Sequence, residues 1–353
     1  MNKTKLIDSL KSLHDLSKAI NSTLDIDEVE EMILEKTARL MQAKKVLILL
    51  LDKTKTILTL HTSLGLAREE LKIKRFHDIR SFDHCIAHKG TVITMDEVLT
   101  PNDLQLQRRE MPFLSGIVFA PLEIKGEAYG LLGISGYSHE FSIVELEIFC
   151  SLGSQAAIAL ENAHLYKKLH DAFLHTAEAL AEAINSRDPY TGGHTSRVSQ
   201  YALQLAGPLG LSAKEKEDLR LAAILHDIGK IGIDDAVLRK SGSFSAAEKE
   251  MMKQHPEIGA NILEHVDEMG EVIKGVRHHH EWFDGSGYPD GLAWKDIPLI
   301  ARIISIVDVF DALTTDRPYR KASNKKVAIK IMLADSGSHF DPELLDIFSR
   351  EEL

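Results

Sequence analysis

The sequence is poor in the residues that several classes of protein require. Its 353 residues include two cysteines, Cys85 and Cys150, too few for a framework of several disulfides or a cysteine-rich zinc site. The longest uninterrupted apolar run, residues 46–51, has six residues, whereas a membrane-spanning helix needs roughly 20. The first residues also lack the apolar stretch of a secretory signal. We therefore predict a soluble, cytoplasmic protein with no membrane partner.

Basic residues are also in short supply, while histidine is abundant. The chain has 42 Lys and Arg against 53 Asp and Glu, a net charge of −11, and 17 histidines against 12 Phe and 7 Tyr. The negative balance argues against binding bulk nucleic acid through a basic surface. Residues 171–353 hold 21 basic and 30 acidic residues, a net of −9, and nine of the histidines. An acidic, histidine-rich half suggests cation binding; the simpler interpretation is a solvated acidic surface.

Length and patterning predict two globular domains, because domains average roughly 150 residues. In the first half, Asp25 and Glu28 offer a capping box before a segment with helical spacing. Two hairpins are expected, one around the KTKT turn at 53–56 and one around residues 125–126. Ser142 and Glu145 then begin a long helix. Two helices that bracket an antiparallel sheet predict an α+β domain.

The long helix is predicted to continue well beyond that domain, because residues 154–187 contain neither Gly nor Pro. A weak heptad seam is formed by residues spaced alternately by three and four positions: Tyr166, Leu169, Phe173, Thr176, Leu180 and Ala183. Such a seam is typical of a parallel coiled coil between two protomers. The alternative is an amphipathic helix that packs on its own domain. We predict a homodimer through residues 154–187.

From residue 188 onward the sequence predicts an all-α domain. Ser212 with Glu215 and Ser245 with Glu248 form capping boxes, and no alternating strand pattern appears. Loops are expected at residues 188–193, 229–235 and 284–291.

Histidines and aspartates in apolar surroundings are the candidate metal ligands of this domain. His226 and Asp227 end a strongly apolar stretch, and charged groups are rarely buried without a partner or a metal. A buried His–Asp hydrogen bond explains that pair equally well. Asp308 lies within the apolar segment at 301–314. The other candidates are His194, His255, His279 and His280. Mixed imidazole and carboxylate ligands suit first-row transition metals better than magnesium or calcium.

Seven blocks in a fixed order extend this set. They are His194, HDIGK at 226–230, His255, HHE at 279–281, DGSGYP at 284–289, IPLIARIISIVDVFDALT at 297–314 and RPYRKA at 317–322. The ordered set resembles the HD-GYP family of cyclic di-GMP phosphodiesterases, a branch of the HD metal-dependent phosphohydrolases. The resemblance spans about residues 171–350, and none of the central motifs is degenerate.

The resemblance implies a centre with two divalent cations, iron or alternatively manganese. One ion would be held by His194, His226, Asp227 and Asp308, and the other by His255, His279, His280 and the shared Asp227. A hydroxide between the ions would attack the phosphorus of cyclic di-GMP in line and give pGpG. Some members hold a third metal through a glutamate four positions before the first histidine. Tyr190 occupies that position here, so two metals are expected.

The resemblance also implies substrate contacts. Lys230 is expected to contact phosphate and to act with Asp227 in catalysis; it follows His226 by four residues, which predicts a position on the same helix face. Phosphate ligands are also expected at Arg317, Arg320 and Lys321. Their alternative role is that of exposed charges at a helix end. Tyr288 is expected near a guanine, unless the Gly-Tyr-Pro turn is purely structural. His278 is expected outside the ligand set, because adjacent helical residues diverge by about 100°.

The first half resembles a GAF domain, a small-molecule sensor module. The resemblance is carried by the hairpin around residues 125–126 and by AAIALENAHLY at 156–166. No ligand is identified, since no cyclic-nucleotide motif is present and Cys85 beside His84 is better explained as a buried thiol than as a bilin or redox site.

These observations predict four segments: an N-terminal helix at 1–24, a GAF-like domain at 25–153, a connecting helix at 154–187 and an HD-GYP domain at 188–353. The expected function is hydrolysis of cyclic di-GMP under control of the GAF domain. One alternative is a cyclic dinucleotide receptor that signals through the GYP loop to a partner protein without turnover. The other is a phosphohydrolase acting on a different cyclic dinucleotide.

Overall fold

The structure, a computed structural model, describes residues 23–352 except 53, 55–56, 68–74, 77–92, 95–116, 139, 188–192, 241 and 317–320. The helix predicted at 1–24 lies almost wholly outside the described residues. The chain forms two compact units, Met1–His170 and Asp171–Leu353. The division lies inside a helix, which therefore contributes residues to both units.

The first unit is built on an antiparallel sheet, as predicted. A helix, α1 (Ile26–Met41), precedes it. The described residues form six strands: β1 Lys45–Leu51, β2 Leu58–Leu64, β3 Arg75–Phe76, β4 Ile93–Thr94, β5 Val118–Ile124 and β6 Glu127–Ser135. Their order is β3-β2-β1-β6-β5-β4. The two predicted hairpins, β1–β2 and β5–β6, are confirmed.

Local sequence explains where these elements begin and turn. The carboxylate of Asp25 accepts hydrogen bonds from the amides of Asp27 and Glu28, which caps α1. The Glu28 carboxylate accepts from the Thr23 hydroxyl at 2.7 Å, so the reciprocal bond of the predicted capping box is missing. In the β5–β6 turn, Lys125 and Gly126 have φ values of 51° and 86°, the left-handed pair that a tight two-residue hairpin requires.

The long helix α2 (Ile143–Asn185) begins with the predicted capping box. The amide of Ser142 donates to the Glu145 carboxylate at 2.9 Å, and the amide of Glu145 donates to the Ser142 hydroxyl at 3.3 Å. Its first part packs with α1 against one face of the sheet, around the buried side chains of Ile33 and Phe149. An 18-residue window of α2 is apolar enough for a membrane span, with a mean hydropathy of 1.5, but half of that window is buried inside the protein, as in a core helix.

The regular elements among the described residues of the second unit are helices, apart from one isolated bridge between Ser336 and Phe340. After the end of α2 come α3 His194–Ala206, α4 Ala213–Leu225, a 3-10 helix Ile228–Gly232, α5 Asp235–Leu238, α6 Ala246–Met252, α7 His255–Leu263, α8 Gly270–His278, a 3-10 helix Trp294–Asp296, α9 Leu299–Thr314, α10 Lys325–Ala334 and α11 Pro342–Glu352. Both predicted capping boxes are present, before α4 and α6. The central helix of the core is α9, whose Ile303, Ile306 and Phe310 are fully buried.

The last part of α2 has two distinct faces. Leu174, Ala177, Ala181 and Ile184 are buried in the core of the second unit. The predicted heptad seam lies on exposed positions: Leu169 is 70% exposed and Leu180 is 48% exposed. The helix thus packs on its own unit, as the alternative interpretation expects, and also leaves an apolar seam uncovered.

Candidate metal centre

Histidines and aspartates from five segments of the second unit meet in its interior. His194 begins α3, His226 and Asp227 follow the end of α4, His255 begins α7, His279 and His280 follow α8, and Asp308 lies in α9. Two sets of three bring their ligand atoms within 4.8 Å of one another: His194, His226 and Asp308, and His255, His279 and His280. These are the residues that the sequence singled out, and their geometry is compatible with two neighbouring cations.

Asp227 lies between the two sets. Its Oδ2 is 3.4 Å from Nε2 of His226, and its Oδ1 is 3.3 Å from Nε2 of His255. Burial alone would raise the pKa of this carboxyl, but Lys230 and His226 outweigh burial and hold the pKa well below its usual range. Asp227 is therefore an ionised carboxylate that presents one oxygen to each set of ligands.

Hydrogen bonds on the outer side orient the imidazoles. Nδ1 of His226, His255 and His279 each lies 2.7–2.8 Å from the backbone carbonyl three residues earlier. A carbonyl oxygen can only accept, so each Nδ1 carries the proton and donates it. Nε2 of each ring is therefore the atom that faces the centre, which is the orientation that metal-binding histidines adopt.

Asp311 orients the remaining histidine of the first set and was missed by the sequence analysis. Nδ1 of His194 donates to Oδ2 of Asp311 at 2.7 Å. Arg197 donates from Nε to Oδ1 of the same carboxylate at 2.5 Å and from Nη2 to Oδ2 at 3.0 Å. Asp311 is 1% exposed; burial would raise its pKa, but His194 and Arg197 together lower it. Its signal in the sequence was its position, three residues after Asp308 in the same apolar helix.

The protonation of the imidazoles differs between the two sets of ligands. Burial lowers the pKa of His255, His279 and His280, the last to about 3, so these rings are neutral near pH 7. Burial also disfavours charge on His226, but Asp227 and Asp308 outweigh it and raise the pKa of His226 to about 9. Nε2 of His226 is buried and makes no hydrogen bond among the described residues. A cation there would satisfy this nitrogen and release a proton.

Lys230 reaches the centre from a different element than predicted. Helix α4 ends at Leu225, and Lys230 lies in the 3-10 helix Ile228–Gly232, so the prediction that it shares a helix face with His226 is wrong. Its Nζ donates to Oδ2 of Asp227 at 2.6 Å. The 3-10 helix packs tightly against the start of α7, because a Cβ on Gly229 would lie 1.9 Å from the carbonyl oxygen of His255.

The GYP loop lies beside the second set of histidines. The amide of Tyr288 donates to the carbonyl of His280 at 3.2 Å, and the two rings are 5.0 Å apart. A Cβ on Gly287 would lie 2.2 Å from the amide nitrogen of Trp282, so no side chain fits at this position. Glu281, 2% exposed, accepts hydrogen bonds at Oε1 from the amides of residues 290 and 291, at 2.7 and 3.1 Å. These contacts hold Tyr288 at the rim of the centre.

The remaining candidates lie away from the two ligand sets or outside the described residues. Nε2 of His278 is 2.9 Å from the carboxylate of Asp290, so His278 contacts the GYP loop and is not in either ligand set. Lys321 is exposed. The other sequence candidates, Arg317, Arg320, Tyr190, His84 and Cys85, lie outside the described residues.

Each unit is similar to a known domain family. The HD domain family matches residues 178–344, and the GAF domain family matches residues 25–162. The cyclic di-GMP phosphodiesterase response regulator RpfG of Xanthomonas campestris is 41% identical over 202 residues, which cover 56% of this chain and 53% of that protein. The cyclic di-GMP phosphodiesterase PA4108 of Pseudomonas aeruginosa is 36% identical over 196 residues, 54% of this chain and 47% of that protein.

A relative named for a different cyclic dinucleotide is nearly as similar. The 3'3'-cGAMP-specific phosphodiesterase 2 of Vibrio cholerae is 34% identical over 214 residues, 60% of this chain and 41% of that protein. The chain spans about half the length of the curated relatives it matches.

Proposed function

We propose that this chain, whose two halves match the GAF and HD domain families, is a metal-dependent phosphodiesterase of the HD-GYP type that hydrolyses cyclic di-GMP to pGpG. The observation that carries the proposal is the placement of Asp227, with one carboxylate oxygen toward each set of buried histidines. One ionised carboxylate between two sets of buried imidazole ligands fits a pair of divalent cations. It does not fit an ordinary buried core, where unpaired polar groups are costly.

Each of the two sets of side chains would hold one metal ion, and Asp227 would contribute to both. His194, His226, Asp308 and Asp227 would hold one ion, and His255, His279, His280 and Asp227 the other. Iron or manganese suits these nitrogen and oxygen donors. Two divalent cations would supply a nucleophile at neutral pH and stabilise the charge on the phosphoryl oxygens.

The chain's own residues would bind and orient the substrate around the centre. Lys230, which donates to Asp227, would contact a phosphate oxygen beside the cations. Tyr288, whose ring lies beside that of His280, would stack on a guanine. We assign further phosphate contacts to Arg317 and Arg320, because the guanidinium fork matches phosphate oxygens, and to Lys321, because its ammonium is a point charge that attracts them.

Charge explains how an acidic unit can take an anionic substrate. Residues 171–353 carry a net charge of −9, and two divalent cations would bring it to about −5. The cations and Lys230 would make the local field attractive, although the whole chain stays acidic.

A second candidate function is hydrolysis of another cyclic dinucleotide, supported by the similarity to a protein named as 3'3'-cGAMP-specific. A third, a receptor without turnover that contacts a partner protein through the GYP loop, has less support because a receptor needs no complete set of metal ligands.

We further propose that the protein works in the cytoplasm as a homodimer, and that the GAF domain, whose ligand is unknown, regulates turnover through α2.

Metal analysis and turnover of anaerobically purified protein test the proposal. We expect about two metal ions per chain and hydrolysis of cyclic di-GMP faster than that of 3'3'-cGAMP. Asp227→Ala should lose metal and activity together, with turnover falling by more than about 100-fold, beyond the loss caused by removing an outer partner of a ligand. Asp346→Ala is the matched control, since Asp346 is exposed and pairs with Arg350 on the surface of α11.

Each result separates the candidates. A variant at Asp227 that kept metal and turnover would overturn the site assignment. A metal ratio near three would contradict the two-ion centre. Full metal content without hydrolysis of any cyclic dinucleotide would favour the receptor.

A further inference from the structure

The end of α2 makes a concentrated set of contacts with the segment that follows the His226–Asp227 pair. Arg187 lies two residues beyond the last residue of the helix. Its Nη1 donates to the carbonyl of Ile231 at 3.0 Å, and its Nη2 donates to the carbonyl of Ile233 at 3.2 Å. Nε and Nη2 also donate to Oδ1 of Asp235, at 3.1 and 2.6 Å. With a longer contact from Nη1 to the carbonyl of Lys230 at 3.5 Å, one guanidinium therefore contacts three backbone carbonyls and a carboxylate of the same segment.

The geometry of this contact requires arginine. The last carbonyls of a helix lack partners within it, and the 3-10 helix Ile228–Gly232 ends where Arg187 donates. A guanidinium has five N–H donors in a planar fork, whereas the ammonium of lysine is a compact point charge. The main chain of Arg187 is held as well, because Nε of Arg239 donates to its carbonyl at 3.1 Å.

The 3-10 helix held by Arg187 carries the chemistry of the centre. It follows Asp227 directly and contains Lys230, whose amide donates to the carbonyl of Asp227 at 3.0 Å. Through Gly229 it packs on the backbone of His255 with no room for a side chain. Because this packing is tight, a shift of the segment at Arg187 cannot be absorbed there and must alter the placement of Lys230.

A second contact ties the same end of α2 to the first histidine. Nδ2 of Asn185, the last residue of α2, donates to the hydroxyl of Thr195 at 2.8 Å, and both residues are buried. Thr195 follows His194 directly in α3. The final turn of α2 thus contacts the segments that carry His194 and Lys230.

We propose that Arg187 is a positioning residue for the reaction, which ties the turn carrying Asp227 and Lys230 to the end of α2. A displacement of the helix end would then reach Lys230 through one side chain. This inference rests on the proposed function, because the role of Lys230 does.

A double-mutant cycle in the full-length, metal-loaded protein tests the coupling. Arg187→Lys keeps the charge but loses the fork, and should lower kcat/KM for the hydrolysed cyclic dinucleotide about tenfold. The metal content should stay unchanged, and Tm should stay within about 2 °C of the wild type. In the Lys230→Ala background, the same substitution should change kcat/KM by less than about twofold, because its target is already gone. Equal losses in both backgrounds, or no loss in either, would overturn the proposal.

Arg220→Lys is the matched control. Arg220 also links another helix to α2, since its Nη2 donates to Oε1 of Glu178 at 3.3 Å, but this contact does not involve the turn that carries Asp227 and Lys230. This variant should leave kcat/KM within about twofold of the wild type.

Hydrogen exchange gives a readout that does not depend on the substrate. Arg187→Lys should accelerate exchange of the amides of residues 230–233 and leave α7 at wild-type protection, while Arg220→Lys changes neither. If the wild type hydrolyses no cyclic dinucleotide, the proposed function fails and exchange alone decides the role of Arg187. Unchanged exchange at 230–233 would overturn that role whether or not the enzyme turns over.

Discussion

Asp311 and the backbone carbonyls show how single residues prepare this centre. The sequence points to ligands because histidine and aspartate stand out among apolar neighbours. It does not reveal the partner of each ligand, because the contact of His194 with Asp311 joins residues 117 positions apart. Each partner nevertheless sets which nitrogen carries the proton, and so whether the ring can bind a cation at all.

Asp311→Asn tests this outer partner. The amide keeps an oxygen that can accept from His194 but loses the negative charge that raises the basicity of the ring and pairs with Arg197. We expect metal affinity to fall by about 10–100-fold, measured by competition with a chelator, and turnover at limiting metal to fall with it. Asp346→Asn on the exposed face of α11 should behave as the wild type. Wild-type metal affinity in Asp311→Asn would show that the carboxylate charge is not needed.

At the scale of elements, α2 combines two roles in one helix. Leu174 and Ile184 belong to the core of the second unit, while Leu169 and Leu180 leave an apolar stripe on the outside. The sequence offered these as alternative interpretations, since a stripe at steps of three and four looks the same whether it faces a core or another chain. A helix with apolar residues on two sides can pack on its own unit with one side and on another chain with the other.

The seam predicts the oligomeric state. Leu169→Glu combined with Leu180→Glu would place like charges against each other at the centre of a coiled coil, so the dimer should dissociate to monomers in sedimentation velocity experiments. Ile331→Glu, at an exposed apolar position of α10, is the control and should remain dimeric. A monomeric wild type, or a dimeric seam variant, would contradict dimerisation through α2.

At the scale of the whole molecule, the centre joins distant parts of one unit. The ligand candidates come from α3, the end of α4, α7, the end of α8 and α9, so bound cations would connect most of the helical core. Both metal-competent groups found among the described residues lie in the second unit. Binding free energy at such a site adds to the stability of the folded state.

Removal of metal should therefore destabilise the second unit selectively. At a free ion concentration of about 100 times Kd, binding contributes about 2.7 kcal/mol, which shifts Tm by roughly 5–10 °C for a unit of this size. Differential scanning calorimetry with manganese and with a chelator measures the shift, and Asp227→Ala should not show it. The shift should shrink as pH falls, because protons compete for the same imidazole nitrogens. An equal shift in Asp227→Ala would place the stabilising ions elsewhere.

Much of this architecture follows from local patterns, and the rest depends on contacts between distant segments. The capping boxes at Ser142, Ser212 and Ser245 were predictable because each is settled within four residues. The 3-10 helix that carries Lys230 was not, because the sequence there predicts a loop and the close contact of Gly229 with the backbone of His255 joins segments that are distant in the sequence. The two-residue strands β3 and β4 are too short for an alternating pattern.

The close packing at Gly287 changes how degenerate versions of the GYP motif should be interpreted. The position excludes even a methyl group because the backbone at Trp282 fills the space, so its glycine is a requirement of shape, separate from the ligands of the centre. A protein that diverges only there can lose the loop that holds Tyr288 while every metal ligand remains. If activity is judged by the Gly-Tyr-Pro tripeptide, such a protein is classified as inactive. If it is judged by the histidine and aspartate ligands, the same protein is classified as active.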